Sequence, residues 1–132
     1  MTEINWQVLH DAANAIMTKA YAPYSNFPVG VAAFVDDGRI VSGCNVENAS
    51  YGLGLCAECG LISDLIATGG GRLTAVLCVD AHGNYLSPCG RCRQLLFEHG
   101  GKDLLFMTPE GALPMAHLLP WAFGPQDLGI KP

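Results

Sequence analysis

Charge is scarce in this chain of 132 residues: 14% of positions are Asp, Glu, Lys or Arg, while half are hydrophobic. Typical domains devote about a quarter of their residues to charge, so a chain this lean is expected to cover part of its surface by self-association. Basic residues are the scarcest, seven against twelve acidic ones, for a net charge of −5. They are scattered, with no stripe to neutralise a phosphate backbone, which argues against a nucleic-acid partner. No run approaches eighteen apolar residues, so no membrane-spanning helix is expected. The first twenty residues carry Glu3 and Asp11 and lack the basic start and apolar run of a secretion signal. A cytoplasmic, reducing location is therefore expected, in which the six cysteines serve as thiols or metal ligands and not as a disulfide framework.

Neither repeats nor low-complexity tracts interrupt the chain, and residues 1–132 read as a single domain. Trp6, Leu9, Ala13, Ile16, Met17 and Ala20 recur at helical spacing and predict a first helix over about residues 5–20. Residues 29–35 and 40–44 read as two strands joined by the turn Asp36-Asp37-Gly38-Arg39. A long loop over residues 45–55 leads to a helix over about 57–68, which Gly69-Gly70-Gly71 stops. The continuous apolar run 73–79 marks a central strand. A loop over 81–88, a helix over about 89–99, a strand over 104–107, a turn at Pro109-Glu110-Gly111 and a short element near 115–119 follow. The tail reads as irregular. This order describes one mixed sheet covered by helices, with ligands expected near strand ends.

Two cysteine pairs dominate the chemistry. Cys56-Ala57-Glu58-Cys59 and Cys89-Gly90-Arg91-Cys92 form a C-x2-C…C-x2-C zinc signature, each pair opening a predicted helix. Two arrangements satisfy it: a closed structural site of four cysteines, or three thiolates leaving a fourth position for water. Glu58 favours the second, because a carboxylate two residues beyond a ligand can face metal-bound water without ligating, and a structural knuckle has no use for it. Pro88 fixes the chain entering the second helix, and both helix N-termini stabilise thiolates. A redox C-x-x-C lacks its usual context here. Gly52-Leu53-Gly54-Leu55-Cys56-Ala57 fits a dinucleotide fingerprint only formally, since no strand precedes it. The four histidines, His10, His82, His99 and His117, have no metal-like spacing, Asn48-Ala49-Ser50 matters as a glycosylation triplet only in a secreted protein, and Cys44 and Cys78 read as buried small hydrophobes in strands.

Cys56-Ala57-Glu58 followed by Pro88-Cys89-Gly90-Arg91-Cys92 resembles the small cytidine deaminases, zinc enzymes with a non-ligating glutamate. The likeness extends to Pro23-Tyr24-Ser25-Asn26-Phe27, Val29-Gly30-Val31-Ala32, Asn45-Val46-Glu47-Asn48-Ala49-Ser50-Tyr51 and Leu119-Pro120-Trp121-Ala122-Phe123, covering nearly the whole chain. It implies an α/β fold, a three-layer α/β/α sandwich around a mixed five-stranded sheet. It further implies hydrolytic deamination of free cytidine and deoxycytidine in pyrimidine salvage, with one Zn2+ per subunit on Cys56, Cys89 and Cys92 and Glu58 carrying protons. The resemblance places Phe27 on the base, Asn45 and Glu47 on the ribose, and Ala57 among the substrate contacts. Ala49, Tyr51 and Phe123 would be lent between subunits of a homotetramer. Many small members carry Arg directly after the glutamate where this chain has Cys59, which leaves a fourth-ligand role for Cys59 open. The charge that arginine would balance is then expected to fall to the helix dipoles with Arg91 or Arg93. A structural zinc module, a nucleic-acid editor and a deaminase of a cytosine-containing antibiotic are the rival readings.

Overall fold

A computed structural model describes residues 3–131. Helix α1 spans Trp6–Met17, with the Asn5 side chain capping its start by accepting from the Val8 N–H. It ends before the apolar pattern does, because Lys19 and Ala20 donate to Ile16 and Met17 in tight i→i−3 turns and the Thr18 hydroxyl takes the Ala15 carbonyl. Strands β1 (Gly30–Val35) and β2 (Ile40–Cys44) form the expected hairpin. Helix α2 (Ala57–Ala67), strand β3 (Leu73–Val79) and helix α3 (Gly90–Gly100) follow within a residue or two of their predicted bounds. Strands β4 (Leu105–Thr108) and β5 (Gly111–Pro114) and the single turn α4 (Met115–Leu118) complete the regular elements, with 3₁₀ turns at Tyr51–Leu53 and Pro125–Leu128.

The five strands make one mixed sheet in the order β2-β1-β3-β4-β5, parallel only between β3 and β4. Strand β5 has no counterpart in the periodicity. It is four residues long, lies at the sheet edge and ends in Pro114, a residue an edge strand tolerates because no partner needs its missing N–H. The tail also holds the 3₁₀ turn at Pro125–Leu128, closed by Gly129 at a left-handed φ of 72°, where irregular chain was expected.

Alternate residues of the sheet feed two cores. Val31, Ala33, Val35, Val41, Val76 and Cys78 pack with Leu61, Leu65 and Leu96 of α2 and α3, whereas Ala32, Ala75, Leu77 and Val79 pack with Leu9 and Ala13 of α1. These are the three layers the family resemblance implies. Strand β3 is covered on both faces, which is why its sequence is an unbroken apolar run.

The antiparallel registers bring the start of β1, the end of β2 and the end of β3 to one place: Gly30 pairs with both Cys44 and Val79. Three loops, before β1, after β2 and after β3, therefore converge at this end of the sheet. Gly43 sets how closely α2 approaches it, since a Cβ there would overlap the Ala57 carbonyl oxygen and the Leu61 nitrogen, both backbone atoms of α2.

Gly43→Ala should accordingly destabilise the protein by about 1–3 kcal/mol in chemical denaturation, the usual cost of overpacking. Gly60→Ala, on the facing helix, is the control. Its Cβ would meet Gly43 Cα at an ordinary 3.5 Å, and the gain in helix propensity should leave stability unchanged or raised by up to about 1 kcal/mol.

Candidate metal centre and active site

Cys56 and Cys89 occupy equivalent positions. Each is the extended residue immediately before a helix, at φ −64°, ψ 156° ahead of α2 and φ −65°, ψ 165° ahead of α3. Cys92 lies in the first turn of α3, so all three thiols sit at positive helix ends. Their sulfurs lie within 4.8 Å of one another. A tetrahedral zinc with Zn–S bonds of about 2.3 Å needs sulfurs about 3.8 Å apart, so the trio fits such an ion after slight contraction. Cys59, one residue beyond Glu58 on α2, is not part of the group. Of the four cysteines that the spacing offered, three converge.

The thiol environments point the same way. Burial pushes the Cys56 thiol up, and burial together with the Glu58 carboxylate pushes that of Cys92 far up. The Cys89 thiol is lowered, chiefly by the Cys92 backbone N–H. Cys56 and Cys92, which resist ionisation by themselves, are thiols that a divalent cation would ionise. Arg91 is exposed. Arg93 is not the solvated side chain that a surface helix face would carry: its Nε donates to the Pro88 carbonyl and its Nη1 to the Leu118 carbonyl, both at 2.8 Å. It braces the turn that presents Cys89 against the end of α4.

Glu58, in the first turn of α2, is 4% exposed. Its Oε1 lies 3.6 Å from Cys78 Sγ. A cavity of about 180 Å³ joins Glu58, Cys56 and Cys89 with Asn45, Ala57 and Cys78, walled by Val29, Leu86, Ser87 and Pro88. That is below the roughly 300 Å³ at which pockets hold whole drug-sized ligands, and suits a single planar ring.

Asn45 reaches this cavity, but its amide is first a brace. Nδ2 donates to the Phe27 carbonyl at 2.9 Å and Oδ1 accepts from the Val29 N–H at 2.8 Å, holding the loop before β1. Glu47 lines a second cleft, of about 390 Å³, with Tyr24, Ser25, Asn48, Tyr51 and Gly54. Its Oε1 accepts the N–H groups of Tyr24 and Ser25 at 2.9 and 3.1 Å, and its Oε2 takes the Ser25 hydroxyl. The Ser25 hydroxyl, with those two N–H groups, holds the carboxyl of Glu47 below the usual range.

Phe27, Ala49 and Phe123 line neither cavity; Phe27 is half exposed and Phe123 is 61% exposed, while Tyr51, on the wall of the second cleft, is 82% exposed. The Phe123 carbonyl is held by Gln94 Nε2 at 2.7 Å, which fixes the segment to α3. Sequence reasoning did not find Cys78, Ser87, Leu86 or Val29 as cavity residues. Strand parity carried a signal for Cys78, which shares the face of Val76 and lies at the β3 end nearest Cys89.

The sequence profile of the cytidine and deoxycytidylate deaminase zinc-binding region matches residues 4–108. The cytidine deaminase of Mycobacterium tuberculosis (strain ATCC 25618 / H37Rv) is 56% identical over 128 residues, covering 97% of this chain and 96% of that protein. Among solved structures, the cytidine deaminase of Mycobacterium leprae superposes with a TM-score of 0.88 at 66% identity, over 89% of this chain and 99% of that one. That of Burkholderia pseudomallei gives 0.80 at 41% identity, over 93% and 100%. The zinc-binding region of that profile spans all three cysteines that converge here, and the likeness runs along almost the entire length: the chain belongs to the cytidine and deoxycytidylate deaminase family.

Proposed function

We propose that the protein hydrolyses free cytidine and deoxycytidine to uridine and deoxyuridine with release of ammonia, using one zinc ion per subunit on Cys56, Cys89 and Cys92. The observation that carries this reading is the buried Glu58 carboxylate sharing one small cavity with Cys56 and Cys89, beside Cys92. Zinc, when bound there, lowers the pKa of a water molecule. The rest falls to the chain. Glu58 takes one proton from the attacking water and passes it to ring N3, then takes the proton of the new C4 hydroxyl and gives it to the departing 4-amino group, so that water and the cytosine ring become uracil and ammonia. Val29, Ala57 and Leu86 wall the reacting ring from bulk solvent, and Asn45 keeps the neighbouring loop in place.

Glu47 accepts three hydrogen bonds from the loop before β1, leaving acceptor capacity for one sugar hydroxyl. Its negative charge would repel a 5′-phosphate, which favours nucleosides over nucleotides, and the net charge of −5 disfavours a nucleic-acid substrate. The exposed aromatic rings of Phe27, Tyr51 and Phe123 are suited to closing the site across a homotetramer, with Ala49 beside them. No helix among the described residues is long and apolar enough to cross a membrane. A cytoplasmic role in pyrimidine salvage accords with that.

Ammonia release measured on cytidine, deoxycytidine, cytosine and CMP tests the assignment: the two nucleosides should react and the other two lag far behind. In the same assay Glu58→Gln should lower turnover about 10²–10⁴-fold, the range that general acid–base groups contribute, with zinc content unchanged. Near-normal turnover would remove Glu58 from the mechanism. Serine substitutions separate the metal readings. Cys56→Ser, Cys89→Ser and Cys92→Ser should each release zinc, whereas Cys59→Ser should retain it; zinc lost from the Cys59 variant would mean a four-cysteine site.

Glu47→Gln should raise KM for cytidine with a smaller effect on kcat. Because the folded carboxyl is held below its ordinary pKa of 4.5, the charged form persists on acidification until pH falls through that lowered value. KM should therefore stay flat from about pH 8 to pH 5. A rise in KM centred at or above 4.5 would show that the Ser25 clamp does not hold the charge.

A further inference from the structure

A carboxylate that collects a proton at one point and delivers it at another has to be held, and Glu58 has several rotatable bonds in a pocket rich in like charge. Two thiols lie against it. Cys92 is one, but as a proposed zinc ligand it becomes a thiolate and ceases to donate. The other is Cys78, which is not part of the three-sulfur group. Cys78 is the penultimate residue of β3, 2% exposed, with its Sγ 3.6 Å from Glu58 Oε1 and both residues on the wall of the same cavity.

We propose that Cys78 is a positioning residue for the deamination, its S–H donating to Glu58 Oε1 so that the carboxylate keeps one rotamer and exchanges protons through Oε2. The proposal rests on Glu58 being the proton carrier. Three features make Cys78 suited to the task. It sits on a strand buried on both faces and paired on both sides, the most rigid mount in the protein, while Glu58 sits on a helix whose first turn faces the metal. It is the donor near Glu58 that metal loading does not consume. Burial, reinforced by the neighbouring carboxylate, pushes its thiol pKa well up, so it stays protonated and able to donate. A side chain that only filled volume would need none of these, and valine would serve as well.

Steady-state kinetics and zinc content of Cys78→Ala, Cys78→Val and Cys78→Ser decide between positioning and filling. Alanine and valine both remove the donor, but valine keeps the volume; serine keeps a donor. Alanine and valine should lower kcat roughly tenfold with KM within about twofold and zinc content at the parent level, and serine should recover most of the loss. Added to Glu58→Gln, Cys78→Ala should lower the residual turnover no further, because Cys78 acts through that side chain. The proposal is overturned if valine matches the parent, if serine falls as far as valine, or if the loss appears in KM or in zinc content. A fully active Glu58→Gln parent would overturn the reading beneath the proposal, and that arm is read without reference to Cys78.

Discussion

Three thiols and a carboxylate gathered in and beside a pocket of about 180 Å³ would, once ionised, repel one another in a medium that screens them poorly. Nearly everything distinctive about this end of the molecule answers that repulsion. Two helices are aimed at the pocket by their positive ends, which requires β2 to be bare at Gly43 so that the start of α2 can lie directly on it. The thiols of Cys56 and Cys92 are pushed toward their neutral forms, and only a cation lets all three ionise together. The donor set is therefore as much a statement about the missing positive charge as about the ligands.

Arginine had been the expected source of part of that charge. Arg93 donates to the carbonyls of Pro88 and Leu118, which holds its charged guanidinium against the turn that carries Cys89, and Arg91 is exposed. Helix dipoles add to that charge, each spread over free N–H groups at the helix start. The protonated thiol of Cys78 gives the pocket a donor that does not add to its negative charge.

How much of this could be read in the sequence depended on whether the signal was local. The cysteine spacing, the N-terminal positions of Cys56 and Cys89, and the doubly buried β3 all follow from residues within a few positions of one another, and each was legible. Strand β5 was not, because four residues between a glycine and a proline show no period, and the pairing of Leu105 with Pro114 that creates the strand is tertiary. The role of Cys78 was hidden in the same way. It reads as a small hydrophobe until the register of β1 with β3 brings the end of β3 beside α2. Asn45 and Glu47 were found as substrate candidates, yet their present partners belong to the neighbouring loop before β1, Phe27 and Val29 for one, Tyr24 and Ser25 for the other. A polar side chain that holds a loop and also meets a ligand is seen in sequence as only one of the two.

The scarcity of charge acquires a location in the fold. Phe27, Tyr51, Trp121 and Phe123 are all exposed, and Trp121 is held at a φ of 57°, a left-handed conformation that a bulky residue adopts only when its surroundings impose it. The segment between Leu118 and Phe123 is anchored at both ends to α3, by Arg93 and Gln94, the residues that directly follow Cys92. The helix that carries two of the three thiols thus also fixes the most exposed aromatic segment of the surface. Any partner surface that buried Trp121 and Phe123 would bear on α3 through those two hydrogen bonds, and so on the geometry of the metal centre. A second copy docked on that segment would share one helix with the metal centre, a physical route by which assembly and metal binding would each stabilise the other.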